Sequence, residues 1–286
     1  MTYAMIGAGG YIAPRHMKAI KETGGTLVAA MDVNDSVGVL DSYFPECQFF
    51  TEYERFDRHI EKLRRTYAAP DFMVVCSPNY LHDSHCRMGM RLGMNVICEK
   101  PVCINPRTMD ALHEDESLYG QTVYSIMQCR LHPEFRSFAE DVLSARDLAH
   151  VTVEYITPRG PWYCVSWKGS EEKSGGLLMN IGFHLFDVLS SVFGHPVKTR
   201  SDISSVDAKG EIEFEHARVS WHLSIGGTEP CRLFKMHGKK YDFTSGFTDL
   251  HTRSYQKILD GEGFRLSDCK DTLHLIETIR THDQNL

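Results

Sequence analysis

The sequence predicts an α/β fold in two parts. The first is a doubly wound parallel sheet, and the second is an α+β domain with a largely antiparallel open sheet. Three observations carry this. Up to about residue 127, nearly continuous apolar runs alternate with amphipathic helical segments, the pattern of a sheet covered on both faces. From 128 onward, apolar and polar residues alternate with period two, as in half-exposed antiparallel strands. The length of 286 residues suits about two domains. We therefore divide the chain into 1–127 and 128–286.

Each element follows from local pattern. Thr2-Tyr3-Ala4-Met5-Ile6 is an apolar run that reads as a buried strand, and Gly7-Ala8-Gly9-Gly10 as a tight turn. Residues 12–22 suit a helix stopped by Gly24-Gly25, and 26–31 a second strand ending in Asp32. Strand, turn, helix, strand is a βαβ unit, which implies parallel pairing. Helices at 52–65, 81–92 and 105–118 then alternate with strands at 72–76, 95–98 and 122–127. In the second part, 151–156, 211–215 and 219–223 alternate as strands. One long helix is predicted over 176–193, with two more near 249–259 and 267–280.

Composition narrows the function. With 42% hydrophobic and 24% charged residues the chain is neither disordered nor collagen-like. Acidic residues outnumber basic ones 38 to 31, which argues against a nucleic-acid partner. No apolar run reaches the roughly 18 residues of a membrane helix, so no membrane association is expected. Nine scattered Cys read as free thiols in a reducing compartment, and the opening residues as no leader, so the cytoplasm is expected.

The glycine turn sits between a strand and a helix, where backbone approaches a pyrophosphate and the helix N-terminus supplies N–H donors. Asp32, about 20 residues on, stands where an acid binds a ribose 2′-hydroxyl, and this favours NAD over NADP. The third glycine of the Rossmann fingerprint is replaced by Ile12. Three other strand ends carry polar residues: Ser77-Pro78-Asn79 with His82, Glu99-Lys100-Pro101, and Gln128. Lys100 leaves an apolar strand for the crevice, where desolvation would suit it to proton transfer; a plain surface lysine is the alternative. On the predicted helix, Asn180, His184, Asp187 and Ser191 share one face that carries no Lys, Arg or Glu. The stripe lines a polar pocket or is a buried hydrogen-bonded set. His184 suits a general base, which Asp187 orients unless it anchors the helix. Arg159-Gly160-Pro161-Trp162-Tyr163 and Trp167-Lys168 form a loop suited to stacking on a sugar or base, with Arg159 for a carboxylate or phosphate; a hydrophobic plug is the alternative. His82, His85 and Cys86 lack a second ligand pair, so no metal is expected.

Together the glycine turn, Ser77-Pro78-Asn79 with His82, Glu99-Lys100-Pro101 and the Asn180-x-x-x-His184-x-x-Asp187 helix resemble the Gfo/Idh/MocA oxidoreductases over essentially the whole chain. Within that family the chain is similar to the UDP-N-acetylglucosaminuronate 3-dehydrogenases. The matching stretches include 6–16, with Tyr11, Ala13-Pro14-Arg15-His16, then 34–38, 76–82, 155–163, 166–169 and Gly246-Phe247-Thr248-Asp249-Leu250-His251-Thr252. The resemblance implies an NAD cofactor held by Gly7, Gly9, Gly10, Tyr11, Ile12, Asp32, Ser77, Asn79, His82, Glu99, Lys100 and Gln128. It implies a UDP-linked N-acetylated hexuronic acid as substrate, oxidised at its 3-hydroxyl. Lys100 and His184 are the implied catalytic pair, with Arg159, Asn180, Trp162 and Trp167 on the sugar nucleotide. Some relatives also use 2-oxoglutarate as cosubstrate, and the family assembles as homotetramers or dimers. The implied role lies in the synthesis of bacterial surface polysaccharides such as the lipopolysaccharide O-antigen. Compared with close relatives, residues 144–149 look trimmed, 224–232 look compressed, and the end at Leu286 lacks a customary tail. Other readings are a different sugar or polyol dehydrogenase of the family, or a non-catalytic NAD-binding regulator.

Overall fold

A computed structural model describes residues 1–281, so the end at Leu286 lies outside the described residues. Contacts divide the chain into two compact units. One holds Met1–Cys103, Arg107–Ile126 and Asp249–Leu266; the other holds Ile104–Pro106, Met127–Thr248 and the chain from Ser267. The segment Asp249–Leu266, placed by sequence in 128–286, packs instead with the first unit. Its Tyr255 and Ile258 are buried in the same apolar cluster as Tyr3, Met17 and Ile20, a pairing over more than two hundred residues that local patterning does not encode.

The first unit is built on strands β1 (Thr2–Ile6), β2 (Thr26–Met31), β3 (Gln48–Phe50), β4 (Phe72–Val75), β5 (Asn95–Cys98) and β6 (Val123–Ser125). They form one parallel sheet in the order β3-β2-β1-β4-β5-β6. Helices α1 (Ala13–Glu22), α2 (Val39–Tyr43), α3 (Tyr53–Arg65), α4 (His82–Arg91) and α5 (Pro106–Tyr119) connect them. All four residues of β4 are buried, as its unbroken apolar run requires. Strand order reverses at β1 and β4, and at such a switch point the carboxyl ends of the strands open onto a ligand crevice. Gly7 crosses that point with φ +88°, and a Cβ there would lie 2.5 Å from the carbonyl carbon of Cys76. Only glycine fits both the angle and the space.

The second unit carries α6 (Pro133–Ser144), β7 (Ala149–Ile156), α7 (Trp162–Val165), α8 (Glu171–Ser174), α9 (Gly176–Asn180) and α10 (Phe183–Phe193). After these come β8 (Pro196–Ile203), β9 (Asp207–Phe214), β10 (Ala217–Ser224), β11 (Cys231–Met236) and β12 (Lys239–Asp242). Leu250–Leu259 is α11 of the first unit, and α12 spans Leu266–Thr281. The sheet order is β12-β11-β7-β10-β9-β8. Every pairing is antiparallel except β7 with β10, which is parallel, so the sheet is largely antiparallel as expected, with one parallel pair at its centre. Period two appears directly: Val219, Trp221 and Leu223 are buried while Arg218 and Ser220 are exposed. Phe186 of α10 meets Trp221 edge-on at 5.2 Å, so α10 covers the apolar face.

The helix predicted over 176–193 is broken. Its axis bends by 54° at Ile181 and Gly182, and both their N–H groups donate to the carbonyl of Leu177. A Cβ at Gly182 would lie 2.7 Å from Leu223 Cδ2 of β10, so the chain turns where it presses on the sheet. Among the described residues no single helix is long and apolar enough to cross a membrane.

Candidate active site

At the switch point the glycine turn is tied to β2. Gly7 and Ala8 donate backbone N–H bonds to the Met31 carbonyl at 2.9 and 3.2 Å. Asp32 Oδ2 accepts the Gly9 N–H at 2.9 Å, and its Oδ1 accepts the Asn34 N–H at 2.9 Å. The acid that sequence assigns to a ribose thus also orders the turn. The first turn of α1 holds no acidic residue, and Tyr11 is exposed beside it, with Arg15 5.9 Å over its ring. Glycine backbone N–H donors, a helix N-terminus free of negative charge and a nearby carboxylate acceptor are the groups a dinucleotide requires.

The residues after β4 and β5 divide into two kinds. Ser77 Oγ pairs with His85 Nδ1 at 2.8 Å, and Asn79 is buried. His82, expected on the cofactor, is held by main chain. It is buried, with Nε2 2.7 Å from the Ser77 carbonyl and Nδ1 2.7 Å from the Pro101 carbonyl. Its ring lies between the carbonyls of the two loops that carry Ser77 and Lys100, and its single N–H donates to one of them. Burial pushes His85 down to about 4, so it is neutral near pH 7. Glu99 accepts His16 Nε2 at 2.9 Å and His251 Nε2 at 3.1 Å on the same oxygen, Oε1. Its Oε2 accepts the Lys100 N–H at 3.2 Å. Lys100 is half-buried.

In the second unit, the Gln128–Leu131 turn lies against α10. The Gln128 side-chain amide is 3.2 Å from His184 Nε2, so Gln128, expected on the cofactor, touches the candidate base. Two residues on, Arg130 donates to both oxygens of Asp187, the shortest bond being 2.7 Å, and Thr272 adds a bond at 3.0 Å. Asp187 therefore anchors its helix to Arg130 rather than orienting His184. The break at Gly182 puts Asn180 on α9, apart from the α10 face, where Asn180 Nδ2 donates to Tyr163 OH at 2.7 Å. Ser191 is exposed, which removes it from any pocket. Trp162 and Trp167 do share a loop: Lys168 Nζ lies 5.5 and 5.6 Å over their rings, and burial lowers its pKa, reinforced by Arg159. Arg159 is exposed, with its guanidinium 3.1 Å from the Pro158 carbonyl.

Sequence reasoning missed four residues that these contacts single out: His16, Arg130, Tyr163 and His251. Each gains its meaning from a partner at least 17 positions away. Arg130 carries a signal through its position beside Gln128, and Tyr163 through its place in the aromatic loop.

A nucleotide-binding switch point in one unit, and a buried histidine with a polar and aromatic loop in the other, are the parts of an NAD-binding oxidoreductase. Residues 1–125 match the NAD-binding Rossmann fold of the oxidoreductase family, and residues 146–224 match its C-terminal alpha/beta domain. The chain belongs to the Gfo/Idh/MocA oxidoreductase family. It is similar to the WlbA (WbpB) dehydrogenase of Thermus thermophilus, solved with NAD and alpha-ketoglutarate: 41% identity, TM-score 0.95, covering 98% of this chain and 95% of that one. The same dehydrogenase solved with NAD and UDP-GlcNAcA gives 39% identity and TM-score 0.94, covering 100% and 96%. D-glucoside 3-dehydrogenase of Escherichia coli (strain K12) is 28% identical over 130 residues, 44% of this chain and 37% of that protein. The matched stretches span about half the length, or less, of the curated relatives.

Proposed function

We propose that this chain is an NAD-dependent dehydrogenase that oxidises the 3-hydroxyl of UDP-N-acetylglucosaminuronate to the 3-keto sugar. The observation that carries this reading is the likeness at 39% identity, over nearly both full lengths, to a dehydrogenase solved with NAD and UDP-GlcNAcA. The turn at Gly7, Gly9 and Gly10, with Tyr11, Ile12 and Asp32, would hold NAD, and Ser77, Asn79 and Glu99 would line its nicotinamide half. When bound, NAD⁺ supplies the hydride acceptor. The C3–H electron pair leaves as hydride, and the hydroxyl proton passes to a protein base. His184 is that base in this reading, and the Lys100 ammonium polarises the hydroxyl oxygen as the carbonyl forms. Arg159 pairs with the sugar carboxylate, Asn180 positions the ring, and Trp162 and Trp167 supply stacking surface.

We further read 2-oxoglutarate as a cosubstrate whose reduction regenerates NAD⁺, supported by the neighbour solved with alpha-ketoglutarate. A homotetramer or dimer in the cytoplasm, serving surface-polysaccharide synthesis, completes the reading. The test is NADH absorbance after stripping bound nucleotide and adding NAD⁺ with UDP-N-acetylglucosaminuronate, with and without 2-oxoglutarate. Reduction with this sugar and little with UDP-N-acetylglucosamine supports both the class and the carboxylate role of Arg159. No reduction, despite NAD binding, refutes this substrate.

A further inference from the structure

His16 and His251 lie in two stretches, 13–16 and 246–252, that the proposed reaction leaves without a task. The fold brings them to one atom. His16 from α1 and His251 from α11 both place Nε2 on Glu99 Oε1, at 2.9 and 3.1 Å. His16 Nδ1 pairs with Tyr255 OH at 2.8 Å, one helical turn beyond His251. His16, His251 and Tyr255 are each no more than 3% exposed. The second carboxylate oxygen, Oε2, accepts the main-chain N–H of Lys100. The proton bookkeeping closes with each histidine as its Nε2–H tautomer: both donate to Glu99, and His16 Nδ1 accepts from Tyr255. His251 Nδ1 is buried with no partner among the described residues, so a second N–H there would be stranded.

The same three ligand atoms invite a metal reading. Distances decide against it. Nitrogen and oxygen ligands sharing a tetrahedral zinc at about 2.0–2.1 Å stand roughly 3.3 Å apart. The observed 2.9 and 3.1 Å are hydrogen-bond separations.

We propose that His16, His251 and Tyr255 are positioning residues that hold Glu99, and through its second oxygen the main chain of Lys100, in the geometry the reaction uses. The inference rests on Lys100 reacting with substrate as proposed above. It gives a purpose to the return of α11 to the first unit: the helix closes a buried clamp on the residue preceding Lys100. The two histidines overcome the burial that would raise Glu99, and hold its carboxyl well below the usual range. The groups facing it are His16 from α1, with Arg15 beside that histidine, and His251 and Tyr255 from α11. Cys76 after β4, Cys98 and Lys100 beside it, and His82 of α4 complete the set.

Two arms test this on the full chain. The first needs no substrate: Glu99 is followed by carboxyl-carbon NMR, assigned with Glu99→Gln, and the Lys100 amide by hydrogen exchange. In the wild type Glu99 stays ionised well below the usual carboxylate range. In His16→Leu/His251→Leu its pKa rises, because burial then acts without the two donors, and Lys100 exchange accelerates at least about tenfold. The second arm is turnover. His251→Leu lowers kcat about tenfold to a hundredfold with KM for NAD little changed. His251→Gln, which keeps a donor, recovers kcat to within about threefold of wild type. Unchanged Glu99 titration and Lys100 exchange in a folded double variant would overturn the clamp, as would one equivalent of a divalent metal in purified protein. Equal kcat in the Leu and Gln variants would overturn its link to Lys100. A wild type inactive on the UDP-sugar refutes the substrate reading, and the first arm still decides the clamp.

Discussion

Replacing Arg130 with Met removes the cation that faces Asp187 while keeping most of the apolar stem. Asp187 is fully buried and Arg130 is 12% exposed. The substitution deletes two donors to Asp187 Oδ1, one to Oδ2, and the bond from Arg130 Nη2 to the Asp268 carbonyl at 2.7 Å. Among the described residues, the Asp187 carboxylate then keeps the bond from Thr272. Removing one partner of a buried ion pair costs about 3–5 kcal/mol, because the other charge stays buried. The three Trp residues, Trp162, Trp167 and Trp221, all lie in the second unit, so tryptophan fluorescence in urea reports that unit's unfolding. With a slope of roughly 2 kcal/mol per molar urea, the midpoint should fall by roughly 1.5–2.5 M. Burial raises the Asp187 carboxyl and Arg130 opposes it, so losing Arg130 raises it further. A folded-state pKa above the unfolded value means that the folded chain keeps a proton the unfolded chain releases. The deficit is therefore largest near neutral pH and shrinks as pH falls toward the unfolded value. Arg130→Met/Asp187→Leu should recover much of the loss. A midpoint shift under about 0.5 M would refute the reasoning, since it would give the pair the value of an exposed one.

Further outcomes follow from single contacts. Asp32→Ser removes the acceptor of the Gly9 N–H and the charge facing a 2′-phosphate, so KM for NAD should rise at least about tenfold while discrimination against NADP falls; steady-state kinetics with both cofactors checks this. Gly7→Ala sets a methyl 2.5 Å from the Cys76 backbone at φ +88°, and should cost more than about 2 kcal/mol and abolish NAD binding, read by denaturation and by titration calorimetry. Lys100→Ala and His184→Ala should each lower kcat about 10²- to 10⁴-fold, with folding intact by circular dichroism; near-normal turnover in both would remove them from the chemistry. Asp207 and Glu154 outweigh desolvation and raise His222, so it is stabilising below its ordinary 6.5, and the contribution is lost as pH climbs through the raised value. His222 is about a third exposed, so His222→Gln should narrow the stability difference between pH 6 and 9 by well under about 1 kcal/mol.

What the sequence discloses is what short segments decide by themselves. The run Thr2 to Ile6, the glycines and Asp32 are each within one βαβ unit, and the structure ties them together by bonds from Gly7 and Gly9 to residues 31 and 32. Period-two burial in β7, β9 and β10 was equally visible, because alternation is a property of one strand. The parallel pairing of β7 with β10 was not, since register belongs to two strands. The helix over 176–193 shows where counting fails: its apolar spacing is helical throughout, but Gly182 meets the Leu223 side chain, and that contact splits the polar stripe. Polar residues at the strand ends were legible, but their partners were not where the partner was distant or main chain. His82 looks like a ligand residue, and its ring lies between two main-chain carbonyls. Glu99 looks like a cofactor residue, and its nearest tasks are to His16, 83 positions back, and His251, 152 positions on. A buried carboxylate must find donors wherever the fold provides them, so the order of such a site along the chain carries little of its geometry. The support beneath Lys100 is therefore the part of this molecule where folding, rather than motif, writes the chemistry.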